Sequence, residues 1–222
     1  MQKLVKAKEP FRFCSRFHLS ELTGLKATNI EELLELIKTV PGSSIYHHTH
    51  RFLQQHQYLS PEPPNDFAYW IREVLGEDEL GERLASIDIM EFPTIRSLRE
   101  KIISIIENYL REKPKVKLKF SSIDEAFHFI KSRSFIILTD YIAYDLKEFV
   151  EILKKITIDS IYFHIFEARL RLEKKTNDFS WWIEDSLGNK KLALKISRLD
   201  PYTRTLEDLR KEIISIVEKE IT

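Results

Sequence analysis

The chain carries a second copy of itself in order, and that doubling limits its fold more than any other feature. Ser44-Ile45-Tyr46 returns as Ser160-Ile161-Tyr162, an offset of 116. Asn65-Asp66-Phe67-Ala68-Tyr69-Trp70-Ile71 returns as Asn177-Asp178-Phe179-Ser180-Trp181-Trp182-Ile183, an offset of 112. Leu98-Arg99-Glu100-Lys101-Ile102-Ile103-Ser104-Ile105 returns as Leu209-Arg210-Lys211-Glu212-Ile213-Ile214-Ser215-Ile216, an offset of 111. Whatever supersecondary unit one half builds, the other is expected to build too. The falling offset places extra residues in the first copy, around Ser60-Pro61-Glu62-Pro63.

The 222 residues then divide into a first repeat, 1–113, and a second, 114–222, with Pro114 marking the junction inside Arg111-Glu112-Lys113-Pro114-Lys115. Each repeat has an ordinary domain size. Five glycines in the whole chain leave no flexible linker, so the two are free to share one core. A composition of 43% hydrophobic and 32% charged residues is globular rather than disordered.

Thirty-five basic side chains balance 35 acidic ones, which removes the electrostatic drive toward nucleic acid or an anionic membrane. A single cysteine excludes an internal disulfide framework and fits a reducing compartment. Met1 to Lys8 contains no apolar signal core, and no apolar run approaches the roughly 18–20 residues of a membrane span. The expected location is cytoplasmic. Richness in Ile, Lys and Glu leans toward a thermophilic source.

The hydrophobic spacing predicts mainly helix. Thr28 or Asn29 caps a helix with Ile30, Leu33, Leu34 and Ile37 on one face, ended by Pro41-Gly42. Further helices are expected from Ser43 to about Tyr58, from Asn65 or Asp66 through Leu75 to Gly76, from Leu80 to Ile87, and from Thr94 to Tyr109. The segments Phe11 to Leu22 and Phe127 to Leu138 mix helical and strand periods. Phe166, Ala168, Leu170 and Leu172 alternate as a strand would, but are read as helix because Phe52-Leu53-Gln54-Gln55 opposite them has poor strand character. The expected fold is all-α: two tandem homologous helical repeats of about five helices each, packed together.

Residues kept in both copies read as scaffold. Trp70 and Trp182 are packing residues, Asp66 and Asp178 precede apolar runs as helix caps do, and His48 and His164 are buried imidazoles with one backbone partner. The differences are more informative. His47, Thr49, His50, Gln54 and His56 become Phe163, Ile165, Phe166, Leu170 and Leu172. Apolar partners of that size imply burial, and buried polar groups without partners cost about 1–3 kcal/mol each. On a helix, positions 47, 50 and 54 share a stripe. This cluster therefore predicts a site in the first repeat, with the Pro-rich loop as its cover.

Three uses fit. One is a pocket for a small polar or sugar-like molecule, bound by His47, His50, Arg51, Gln54, Gln55 and His56, with Tyr46, Tyr58 and Tyr69 as walls. Another is a divalent metal such as zinc on His47, His50, Cys14 and His18, with Glu21 or Glu35 as substitutes. The third is a surface that meets a protein partner, with no pocket. No Asp or Glu stands where it would orient a catalytic imidazole, so enzyme activity is left open with a lean against it. The phosphate-loop, nucleophile-elbow and zinc-protease signatures do not occur.

The stretch SIYHHTHRFLQQHQYLSPEPPNDFAYW, residues 44–70, resembles an uncharacterised bacterial domain-of-unknown-function family. LTGLKATNIEELLELI at 22–37 and LGERLASID at 80–88 are similar to it too, so the resemblance spans about residues 10–112. It implies no established activity. Members resemble proteins encoded near trehalose or glycosyl-transfer genes, which implies an accessory or enzymatic role in sugar metabolism. The second copy departs from the pattern at the His and Gln positions, which implies a degenerate, structural partner.

Overall fold

The computed structural model describes residues 5–51, 65–168, 176–199 and 205–221. Of these, 59% are helical and 18% lie in an antiparallel two-stranded sheet, so the fold is α+β and not all-α. The strands are β1, Phe11–Ala27, and β2, Phe127–Ala143. Both begin in the segments of mixed period. The physical reason is visible in their burial. Phe11 and Phe13 are buried and flank an exposed Arg12, but the alternation stops there, and much of the remaining strand is exposed on both faces. A strand that alternates over a few residues only carries little period-2 signal.

The described residues form two compact units, and the division crosses both strands. One unit contains residues 5–17 and the described residues from 135 onward; the other contains 18–51 and 65–134. Each unit therefore joins helices from one half of the sequence to a strand start from the other.

The unit containing 18–51 and 65–134 carries α1 (Ile30–Thr39), α2 (Gly42–Tyr46), α3 (Asp66–Glu73), α4 (Asp78–Ala85) and α5 (Ile95–Glu112). Asn29, Asn65 and Thr94 cap α1, α3 and α5 through their side chains, accepting from Glu32, Ala68 and Ser97 N–H. The start of β2 closes the core: Phe127 and Phe129 stand 5.3 and 6.3 Å from the Phe67 ring, and Phe127 lies 5.8 Å from Trp70. Trp70 Nε1 donates to Glu125 O at 2.7 Å.

The other unit carries α6 (Leu146–Leu153), α7 (Ile158–Tyr162), α8 (Asp178–Asp185), α9 (Lys190–Ser197) and α10 (Leu206–Ile221). Its core is closed by the start of β1. Phe11 lies 5.5 Å from Trp182, and Phe13 lies 5.5 Å from Phe149. Trp182 Nε1 donates to Glu9 O at 2.8 Å. Both short loops after α3 and α8 turn through a glycine at positive φ, Gly76 at 64° and Gly188 at 71°. Tyr162 and Phe163 run without a break into the segment that includes Phe166 and Ala168, which is helical as read. Leu170 and Leu172 lie outside the described residues.

Candidate functional site

In each unit the second helix widens into a π turn, His47–Arg51 after α2 and Phe163–Glu167 after α7. Such turns recur at functional sites. Thr49 Oγ1 donates to Ile45 O at 2.7 Å, but Ile165 holds the same place in the other turn with no hydroxyl, so Thr49 does not cause the widening.

Both turns hold a strand edge by the same device. Ile130 N–H of β2 donates to His48 Nε2 at 3.0 Å, so Nε2 is the bare nitrogen of the ring. The proton is then on Nδ1, which donates to Asp66 Oδ2 at 2.6 Å. In the other unit Cys14 N–H donates to His164 Nε2 at 2.8 Å, and His164 Nδ1 donates to Asp178 Oδ2 at 2.7 Å. An imidazole oriented by a carboxylate is the pattern of a general base, yet here a peptide N–H occupies the nitrogen that would take a proton. These pairs fasten strand to helix. Asp66 and Asp178 serve the imidazoles, and the caps of α3 and α8 are Asn65 and Asn177. The one signal for this in the sequence is that His48 and Asp66 are kept together as His164 and Asp178.

The polar positions of the first turn are buried, as are their apolar counterparts. His47, Thr49 and His50 are 6%, 1% and 2% exposed, and Phe163, Ile165 and Phe166 are equally enclosed. His50 stacks on Tyr46 with ring centroids 5.4 Å apart and an interplanar angle of 12°. Phe166 stacks on Tyr162 at 4.8 Å and the same angle. His18 of β1 stacks on Tyr46 at 5.5 Å, and its Nδ1 shares a hydrogen bond with Ser134 Oγ at 2.8 Å. His18, Tyr46 and His50 thus form a run of rings beside His47 and His48.

His47 differs from its neighbours. Its Nδ1 shares a 2.9 Å hydrogen bond with Ser132 Oγ, and Nε2 has no hydrogen-bond partner among the described residues. Burial, aided by His48, Arg51 and His18 and opposed by Asp66, pushes its pKa down to about 4. The ring is neutral at physiological pH and presents one nitrogen.

The two units invert a charge here. In one, Glu167 is fully buried and accepts from Arg16 of β1. In the other, Arg51 holds the place of Glu167 in the π turn, and Ser132, bonded to His47, holds the place of Arg16 on the strand.

Of the residues expected at the site, His47, His50 and Arg51 share one turn, and His18 reaches it through Tyr46. Gln54, Gln55, His56 and Tyr58 lie outside the described residues, as does the Pro-rich segment from 60 to 64. Tyr69 is exposed on α3. Cys14 falls in the unit containing His164, and His18, His47 and His50 fall in the other. Among the described residues, no three His, Cys, Asp or Glu side chains converge as a metal ion would require. No helix among them is long and apolar enough to cross a membrane.

A family model described as a family of unknown function, DUF5752, matches residues 8–218. The match runs through both halves and not over 10–112 alone. The solved structure of OrfY from Thermoproteus tenax is similar to the chain, at 28% identity and a TM-score of 0.81, over 98% of this chain and 98% of that one. No curated protein matches the chain.

Proposed function

We propose, for a chain that belongs to the family of unknown function DUF5752 and inherits no activity from it, that the unit containing 18–51 and 65–134 binds a small polar molecule at its buried imidazoles, with His47 as the contact. One observation carries the reading. His47 is enclosed and neutral, it is anchored through Nδ1 on Ser132, and its Nε2 has no partner among the described residues, where the other unit has Phe163. Nε2 is not among the sealed, unpartnered polar atoms of the described residues, so it can be reached from outside, and an imidazole there can meet a polar molecule where phenylalanine cannot.

The chemistry favours a hydroxylated or anionic molecule. Ser132 can donate to Nδ1 or accept from it, so Nε2 can either donate or accept. A hydroxyl or a phosphate oxygen suits both. Arg51 stands one residue beyond His50, where the other unit has Glu167. A metal is the weaker reading, because the ligand count falls short among the described residues.

The test is the imidazole nitrogen resonance of His47 in histidine-labelled protein, titrated separately with inorganic phosphate, glucose and zinc chloride. Phosphate or glucose is expected to move the His47 Nε2 signal before those of His48 and His164, and His47→Phe is expected to abolish the binding that causes it while the protein stays folded. If neither phosphate nor glucose moves that signal, or if His47→Phe leaves binding intact, the reading is wrong.

A further inference from the structure

Two adjacent imidazoles of the unit containing 18–51 and 65–134 are held by different kinds of partner on β2. His48 meets a peptide N–H, which can only donate, so its Nε2 is bare and its proton sits on Nδ1. His47 meets the hydroxyl of Ser132 through Nδ1 at 2.9 Å, and a hydroxyl can donate or accept. Counting hydrogens decides between the two. Ser132 is 6% exposed, and His47 Nδ1 is the one hydrogen-bond partner of its Oγ among the described residues. If Nδ1 of the neutral ring carried the proton, Oγ would accept it, and the hydroxyl hydrogen would be left in an enclosed place with no acceptor. If Nδ1 is bare, the hydroxyl donates to it and the ring proton goes to Nε2. Both groups are then satisfied, and the N–H that remains is the one that can be reached from outside.

We infer, resting on the reading of His47 as the ligand contact, that Ser132 is a positioning residue that fixes His47 as an Nε2–H donor, the opposite tautomer to His48, so that the site takes an accepting oxygen of an anion and refuses a divalent cation. An N–H donor makes its stronger hydrogen bond to a charged acceptor, so a phosphate or carboxylate oxygen suits it better than a sugar hydroxyl. Zinc needs a bare nitrogen. To supply one, His47 would move its proton to Nδ1, and Ser132 would turn its hydrogen away from the ring with no acceptor among the described residues to receive it.

The test reads the tautomer first, in the full chain with no ligand added, from long-range proton–nitrogen correlations of histidine-labelled protein near neutral pH. His47, identified by the signals lost in His47→Phe, is expected to show a protonated Nε2 and a bare Nδ1, and His48 the reverse. Ser132→Ala is expected to give His47 a mixture of the two forms with the circular dichroism unchanged. Ser132→Thr, which keeps the hydroxyl, is expected to retain the single form. Inorganic phosphate is then expected to shift the His47 signals at lower concentration than glucose, and zinc chloride is expected to leave them in place. A His47 protonated on Nδ1, a tautomer that Ser132→Ala does not move, or zinc bound to Nε2 overturns the inference even where phosphate binds. The expected tautomer with a response to glucose and none to phosphate overturns the anion alone. The expected tautomer with no response to either overturns the reading of His47 as the ligand contact, and the anion with it.

Discussion

Phe13 and Phe149 lie with ring centroids 5.5 Å apart in the core of one unit, although they come from opposite halves of the sequence. Phe13 is fully buried there, among Phe11, Phe149, Phe179 and His164. Phe129 does the corresponding work in the other unit, beside Phe67 and His48.

This exchange predicts where a mutation is felt. Truncating a buried phenylalanine to alanine costs about 3–5 kcal/mol. Phe13→Ala should therefore loosen α6 to α10, far along the chain, and leave α1 to α5 protected. Phe129→Ala should do the reverse. Native-state hydrogen exchange resolved by peptide distinguishes the two. Loss of protection in α1 to α5 on Phe13→Ala would contradict the assignment.

The two imidazole staples make a matched pair. His48→Phe leaves the Ile130 N–H without its acceptor and the Asp66 carboxylate without its donor. A buried donor left unsatisfied costs about 1–3 kcal/mol. His164→Phe removes the same two bonds from Cys14 and Asp178, and should cost about as much. Urea unfolding of both variants measures this. A cost near zero for either would mean that the strand edge finds another acceptor.

His47 predicts a pH dependence of definite sign. Its folded pKa of about 4 lies below the ordinary 6.5, so below pH 6.5 the unfolded chain holds a proton that the folded chain refuses. Stability is whole above pH 6.5 and falls as pH drops toward about 4, by about 1.4 kcal/mol per unit and roughly 3 kcal/mol at most. His47→Phe removes this dependence. The variant should gain about 2 kcal/mol relative to wild type when urea midpoints near neutral pH are compared with those near the lower end of that window. An unchanged difference would show that the ring takes up its proton in the folded state.

Much of this architecture is legible in the residues themselves. Of the alternatives Thr28 or Asn29 and Asn65 or Asp66, the structure takes Asn29 and Asn65 as caps, and Thr94 caps α5 as read. The replacement of His47, Thr49 and His50 by Phe163, Ile165 and Phe166 points to burial before any coordinates exist. The ribbon does not show itself, because Phe11 and Phe13 give two beats of alternation and then the strand leaves the core. The exchange of strand starts is also silent, since a repeat states what packs together and not which copy supplies it. Asp66 reads as a cap because it begins α3, and only its distance from His48 in space reveals the other role.

One contact that the two units do not share gives a last prediction. A Cβ added to Gly81 on α4 would lie 2.8 Å from Arg72 Cβ and 3.2 Å from Ala68 O on α3, closer than real atoms pack. The helices approach there because both positions are small. In the other unit the same places hold Ser180 and Ala193, so that pair of helices already accommodates a methyl group. Gly81→Ala raises helix propensity by about 1 kcal/mol, which on an open surface would stabilise. Here overpacking costs typically 1–3 kcal/mol and should win or break even. Pairing it with Ala193→Gly separates the effects: that change removes a methyl with no clash to relieve and should cost about 1 kcal/mol through propensity. If Gly81→Ala instead raises the melting midpoint, α3 and α4 are free to slide apart, and the close approach of the two helices is not a requirement of the fold.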